Sequence, residues 1–150
     1  TPVEYSLNSR LVKNEAGEVV EQPYRVGGLY GDALAQVVYW LKEAQKYAEN
    51  EKQSVALGHL ISYYETGDLE KWQLYNINWV QDTEGDVDYI NGFVEVYNDP
   101  LGYTGSYETV VQIKDFEASE RMAMLMNNAQ WFEDHMPFDP AHKKDTATEF

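Results

Sequence analysis

Apolar residues recur at helical spacing through the second quarter of the chain. The first apolar stripe follows Asp32 and consists of Leu34, Val37, Val38, Leu41, Ala44 and Ala48. A second stripe follows the polar segment 49–51 and consists of Leu57, Leu60, Ile61 and Tyr64. Residues three and four positions apart lie on one face of a helix, and Gly67 suits a left-handed C-cap. The two stripes predict an antiparallel helical hairpin.

The segment that follows Asp68 extends the helical part of the chain. Trp72, Tyr75 and Trp79 fit one helix face, and Asp68 is a suitable N-cap. The β-favouring residues of this segment leave a strand as the alternative. We predict a helix here, and therefore helical structure over 31–82.

After a turn at 83–86 the period of the pattern changes to two. Residues 87–97 and 107–114 are rich in Val, Ile, Phe and Tyr, which is typical of strands. The loop between them, 99–105, contains Pro and Gly. The pattern predicts a β-hairpin over 83–114. Because two strands alone form a marginal sheet, the hairpin must pack on the helices or pair with strands elsewhere.

The two ends of the chain complete an α+β arrangement, which we treat as a single partial domain over 1–150. Residues 1–30 are expected to be extended or loop. Asp115 is a suitable N-cap for a helix over 115–136, which Pro137 ends. The apolar stripe of that helix consists of Ala118, Met122, Leu125, Ala129 and Phe132. Residues 137–150 have few apolar anchors and are predicted to be a tail.

The strongly acidic composition disfavours some classes of binding partner. The chain has 26 acidic and 11 basic residues and a formal charge of −15. Such a surface repels phosphate backbones and anionic membranes, so we expect neither nucleic acid nor membrane as a partner. Cationic or basic peptides are the natural electrostatic partners, and the alternative is that the acidity simply keeps the protein soluble. The chain has no cysteine, so the compartment, cytoplasmic or periplasmic, stays undetermined.

The common catalytic and metal-binding motifs are absent from the sequence. His59, His135 and His142 do not form an H-E-x-x-H motif, and the acidic residues near 82–88 fail the EF-hand pattern. No serine lies in a G-x-S-x-G turn, and no glycine-rich phosphate loop is present. We expect no metal ligands and no cofactor in this chain.

One strand carries a pair of candidate functional side chains. A period of two sends Glu95 and Tyr97 to the same side of the predicted strand and Val94 to the other. A carboxylate there can hold the α-ammonium of a peptide, and a phenol can donate a hydrogen bond to a developing oxyanion. The alternative is a strand whose valine face is core and whose Glu/Tyr face is merely solvated.

The segment around these residues resembles dipeptidyl peptidase III, a family of zinc-dependent exopeptidases that release dipeptides from peptide N-termini. The similarity joins an N-G-F-x-E-x-Y strand, 91–97, to a D-P-x-G loop at 99–102, and continues through 106–108. The flanking segments also resemble the bacterial members of the family, namely 7–13, 38–41, 63–69 and 128–135.

The resemblance implies a much longer, two-lobed protein whose zinc ligands come from an H-E-x-x-G-H helix and a later glutamate. The H-E-x-x-G-H motif does not occur in this chain, and zinc is expected in the parent protein alone. Glu95 resembles the glutamate that anchors the substrate N-terminus, and Tyr97 the tyrosine that stabilises the tetrahedral intermediate. Val94 lies where the family offers backbone contacts to the peptide. Asn91 and Glu108 match the family as structural supports.

The resemblance also implies that the two strands belong to a small barrel completed by later parts of the parent chain. The leading hypothesis is an inactive fragment of a dipeptidyl-peptidase that contributes substrate-cleft residues. Its partners are short peptides with free N-termini and the remainder of its own chain. The alternative is a stand-alone, non-catalytic peptide-binding or scaffolding module.

Overall fold

A computed structural model describes residues 7–147, which form five α-helices, one 3-10 helix and two small β-hairpins. This is the α+β class that the sequence predicted. The described residues divide into two compact units, one ending at Gln112 and the other beginning at Ile113. The sequence pattern had not separated them. Of the ranges predicted above, residues 1–6 and 148–150 lie outside the described part.

Among the described residues the first unit begins with a β-hairpin, within the range 1–30 that was expected to be extended or loop. Strands β1 (Ser9–Lys13) and β2 (Val19–Pro23) pair antiparallel, with Val12 opposite Val20. Gly17, at φ 78°, lies in the connecting turn, where a side chain would be strained. The chain then joins the core, because the Val26 backbone N–H donates a 2.8 Å hydrogen bond to the Tyr64 carbonyl.

Three helices follow: α1 (Gly31–Gln45), α2 (Glu51–Thr66) and α3 (Leu69–Gln81). The prediction that the third segment is a helix is confirmed. Gly67 ends α2 in the left-handed conformation at φ 76°, as expected of a glycine C-cap. The Asp68 carboxylate caps α3 by accepting a hydrogen bond from the Glu70 backbone N–H.

The core of the first unit is rich in tyrosine. Tyr24, Tyr63, Tyr64 and Tyr75 are all buried, together with Phe93 from the second hairpin. Burial raises the pKa of Tyr64 and Tyr75 well above the usual value, because the charged phenolate would be desolvated. Core packing within this chain therefore accounts for part of its 12 tyrosines.

The second hairpin consists of β3 (Val87–Glu95) and β4 (Ser106–Ile113). The alternation is present, but the buried face is the opposite of the one proposed in the solvated-strand alternative. Phe93 is 5% exposed and belongs to the core, whereas Val94 is 41% exposed. The larger aromatic ring, which buries more apolar area than a valine, occupies the inner face.

The second unit contains α4 (Phe116–Met126), α5 (Ala129–His135) and a 3-10 helix (Pro140–His142). The Asp115 carboxylate caps α4 by accepting from the Ala118 backbone N–H, as predicted. The single helix predicted over 115–136 is wrong, because the chain breaks between the two helices. Asn128 donates a side-chain hydrogen bond to the Met124 carbonyl at 2.8 Å, and such bonds compete with continuation of a helix.

The segment predicted to be a tail folds back onto α5 as far as the structure describes it. The Lys144 backbone N–H donates to Glu133 Oε1, and the Ala147 backbone N–H donates to Gln130 Oε1, both at 2.8 Å. Backbone-to-side-chain bonds thus anchor a segment that has few apolar residues. None of the helices in the described residues is long and apolar enough to cross a membrane.

Candidate functional site

The candidate substrate-contact residues lie where β3 ends and the chain turns towards β4. Val94 and Glu95 are the last two residues of the strand, and both are exposed. Tyr97 follows two residues later and is 75% exposed. The strand alternation therefore stops short of Tyr97, which is held by a turn instead. All three side chains are accessible in the described part of the chain.

The buried side chain of Asn91 holds the part of β3 that leads to these exposed residues. The side chain of Asn91 accepts a 2.7 Å hydrogen bond from the Tyr64 hydroxyl of α2. Its amide group donates to the Tyr107 hydroxyl at 2.9 Å and to Thr109 Oγ1 at 3.3 Å, both on β4. Asn91 thereby links one helix and both strands of the hairpin, four residues before Glu95. Its contacts are those of a structural support.

A glycine allows the same strand to lie directly on α3. A Cβ atom added to Gly92 would lie 2.4 Å from the Trp72 ring and must displace it. Real Cβ atoms do not make such short contacts, so the Trp72 ring occupies the space that a side chain would need. The packing of β3 against the helical layer thus depends on the absence of a side chain at this position.

The loop after Tyr97 is organised by one carboxylate. Asp99 accepts hydrogen bonds from the backbone N–H groups of Leu101, Tyr103 and Thr104 and from the Thr104 hydroxyl, at 2.9–3.0 Å. The Leu101 N–H contributes most to holding the pKa of the Asp99 carboxyl below its usual range, followed by the Thr104 hydroxyl. The sequence signal was present, since an Asp before Pro and Gly often bonds the backbone of its own turn.

Ser106, at the start of β4, contacts the backbone of Glu95. The Ser106 hydroxyl donates a 3.0 Å hydrogen bond to the Glu95 backbone carbonyl. Ser106 also lines a cavity of about 390 Å³ whose walls include Tyr30, Phe93 and Tyr107. The family resemblance includes Ser106, but the sequence pattern assigned it no role, because that role depends on the pairing of β3 with β4.

The described residues do not form a metal site. Within 7–147 no group of three or more His, Cys, Asp or Glu side chains is placed to hold a metal ion. His135 stacks on Trp131 with ring centroids 4.2 Å apart, and its Nδ1 lies 2.7 Å from the Trp131 carbonyl oxygen. Asp88 accepts a hydrogen bond from the Trp79 indole N–H. These residues do not fit a zinc ion, which the family resemblance assigns to other parts of the parent protein.

The sequence model of peptidase family M49 matches residues 7–149 of this chain. Dipeptidyl peptidase 3 of Homo sapiens is 31% identical over 144 residues, which are 95% of this chain and 20% of that protein. Dipeptidyl peptidase 3 of Dictyostelium discoideum is 32% identical over 125 residues, covering 81% of this chain and 18% of that protein. The chain belongs to peptidase family M49. It spans a fifth or less of the length of these two relatives.

Solved structures of the same family share the fold. Dipeptidyl peptidase III from Caldithrix abyssi superposes with a TM-score of 0.71 over 94% of this chain and 26% of that one, at 20% identity. The enzyme from Corallococcus sp. strain EGB gives a TM-score of 0.65 over 94% and 25%, at 19% identity. The resemblance to the dipeptidyl peptidase III family is confirmed.

Proposed function

We propose that this chain supplies substrate-binding residues, but no metal ligands, to a zinc-dependent hydrolase that releases dipeptides from peptide N-termini. The observation that carries the proposal is the strand end at Val94 and Glu95. Both side chains are exposed, and the strand that leads to them is fixed by the buried Asn91 and Phe93. A site on a rigid strand positions a ligand more accurately than a flexible loop does.

Each candidate residue has a chemical role that suits its position. The Glu95 carboxylate binds the α-ammonium of the peptide through a charge-assisted hydrogen bond. The Tyr97 hydroxyl donates to the scissile carbonyl oxygen as negative charge develops on it. Val94 offers backbone groups along which an extended peptide lies as an added strand. The formal charge of −15 favours a peptide with a free ammonium group.

The remainder of the parent chain is the principal partner in this proposal. The relatives named dipeptidyl peptidase 3 are several times longer than the matched segment. Within the described residues the β3–β4 sheet has two strands, and the proposal makes it part of a small barrel that the rest of the parent chain completes. Zinc, bound elsewhere in the parent protein, would polarise the scissile carbonyl or activate a water molecule. The chain by itself is then inactive.

The proposal is tested by assaying dipeptide release by the chain alone and by the full-length protein, with one peptide in free and N-acetylated forms. We expect release by the full-length protein from the free peptide only. Release by the chain alone would overturn the proposed division of roles. A full-length protein that hydrolyses the acetylated peptide equally well would overturn N-terminal anchoring. Peptide binding by a chain that has no longer parent would support the stand-alone module instead.

A further inference from the structure

Tyr97 is held in a turn rather than in the strand. The Asp99 backbone N–H donates a 2.9 Å hydrogen bond to the Val96 carbonyl. A bond between residues three positions apart closes a β-turn, so Tyr97 and Asn98 are its central residues. The direction of the Tyr97 side chain is therefore set by the φ and ψ angles of that turn. Because Asp99 closes the turn, contacts that hold Asp99 in place also hold the turn.

Asp99 is fixed by its own side chain. Its carboxylate accepts four hydrogen bonds from Leu101, Tyr103 and Thr104, and its carbonyl accepts one from the Gly102 N–H at 2.9 Å. The segment 97–103 is largely exposed, so little apolar burial orders it. Ordering the backbone of such a segment costs conformational entropy. The carboxylate supplies the local bonds that oppose this cost.

We infer that Asp99 is a positioning residue for Tyr97, holding the turn so that the phenol meets the substrate carbonyl. This inference rests on the proposed function. The contacts assign Asp99 no part in binding substrate. Through these contacts Asp99 acts on the conformation of Tyr97, two residues away. Loss of the carboxylate is therefore expected to act on the step that Tyr97 serves and to leave the capture of the substrate N-terminus nearly intact.

The test is a double-mutant cycle in the full-length enzyme with Tyr97→Phe, Asp99→Ala and the combination. Misplacing a catalytic group by about 1 Å can cost roughly 10²-fold in rate. We expect Asp99→Ala to lower kcat by about 10- to 100-fold with KM changed less than about threefold. In the Tyr97→Phe background the same substitution is expected to change kcat by less than about twofold, because residues that act through one another are not additive.

A matched control is Asp139→Ala. Asp139 also bonds the backbone of its own turn, through the Ala141 N–H at 2.9 Å, but it lies in the second unit. We expect wild-type kcat and KM for this variant. If Asp99→Ala does not fold, Asp99→Asn and Thr104→Val each remove part of the same network and are expected to give smaller losses of kcat in the same pattern.

Each outcome decides between the two proposals. If Tyr97→Phe lowers kcat and Asp99→Ala lowers it by the same factor in both backgrounds, Asp99 acts independently and the positioning inference is overturned. The role of Tyr97 then stands. If Tyr97→Phe has wild-type kcat, Tyr97 is not the oxyanion donor of the proposed function. The positioning inference is then overturned as well. A loss that appears in KM alone also contradicts the inference.

Discussion

The Tyr64 hydroxyl donates a 2.7 Å hydrogen bond to the side-chain oxygen of Asn91, at a point where both residues are buried. The bond joins α2 to the strand that carries the candidate site. It is part of a network, because the amide group of Asn91 is in turn bonded to Tyr107 and Thr109. The exposed end of β3 is therefore tied to the helical layer through polar groups as well as through Phe93.

Replacing Asn91 by alanine is expected to lower the free energy of unfolding by about 1–3 kcal/mol. The substitution leaves the Tyr64 hydroxyl buried without its acceptor, and an unsatisfied buried group costs its full desolvation penalty. Denaturant unfolding followed by circular dichroism measures the change. Asn98→Ala, at an exposed position, is the control and should lie within about 0.5 kcal/mol of wild type. Equal stability of the two variants would contradict the role assigned to Asn91.

Gly92→Ala should also destabilise the chain, by roughly 1–3 kcal/mol, because its Cβ would overlap the Trp72 ring. Gly58→Ala is the matched control within α2. Its Cβ would meet only the side-chain nitrogen of Gln45, at 3.1 Å, and alanine favours a helix by roughly 1 kcal/mol over glycine. Thermal unfolding should show a lower Tm for the first variant and an unchanged or higher one for the second. The reverse order would contradict the packing described.

Glu95→Gln in the full-length protein is expected to weaken substrate capture by roughly 1.5–3 kcal/mol, the usual contribution of a hydrogen bond to a charged group. Steady-state kinetics should show KM raised by about tenfold or more. The N-acetylated form of a competing peptide provides the control, since its affinity should be the same for variant and wild type. An unchanged KM would show that Glu95 does not contribute to substrate binding.

Tyr97→Phe should lower kcat by about 10²-fold and leave KM nearly unchanged, since a bond to the oxyanion forms fully only in the transition state. The substitution keeps the ring and removes only the hydroxyl. Tyr47→Phe, which alters another exposed tyrosine of the first unit, serves as the comparison and should retain wild-type kcat. Comparable losses in both variants would argue against a specific role for Tyr97.

The pKa of the Asp99 carboxyl should lie below the usual aspartate value of about 3.9, because the folded loop donates hydrogen bonds to its charged form. The bonds therefore favour the folded loop above that value, and this contribution is lost as pH falls through the lower folded pKa. Carboxyl ¹³C NMR titration measures it. Thr104→Val removes the hydroxyl donor and should raise the pKa towards the usual value. A pKa at or above the usual value in the wild type would contradict the network.

Sequence periodicity was sufficient for the elements that depend on local interactions. The helices of the first unit follow from apolar stripes, and the capping roles of Gly67, Asp68 and Asp115 follow from backbone chemistry within a few residues. The break between α4 and α5 was missed because the apolar stripe continues through it. The break falls at Asn127 and Asn128, residues of low helix propensity, which a search for apolar periodicity does not weigh.

The sequence by itself determined the α+β class, the two strands of the second hairpin and, through its N-G-F-x-E-x-Y pattern, the family. Only the tertiary structure decided which face of β3 is buried, which groups Asn91 bonds and how Tyr97 is held. Burial depends on what packs against a strand, here Trp72 above Gly92 and the tyrosines around Asn91. Those neighbours are distant along the chain, and a pattern of nearby residues carries no information about them.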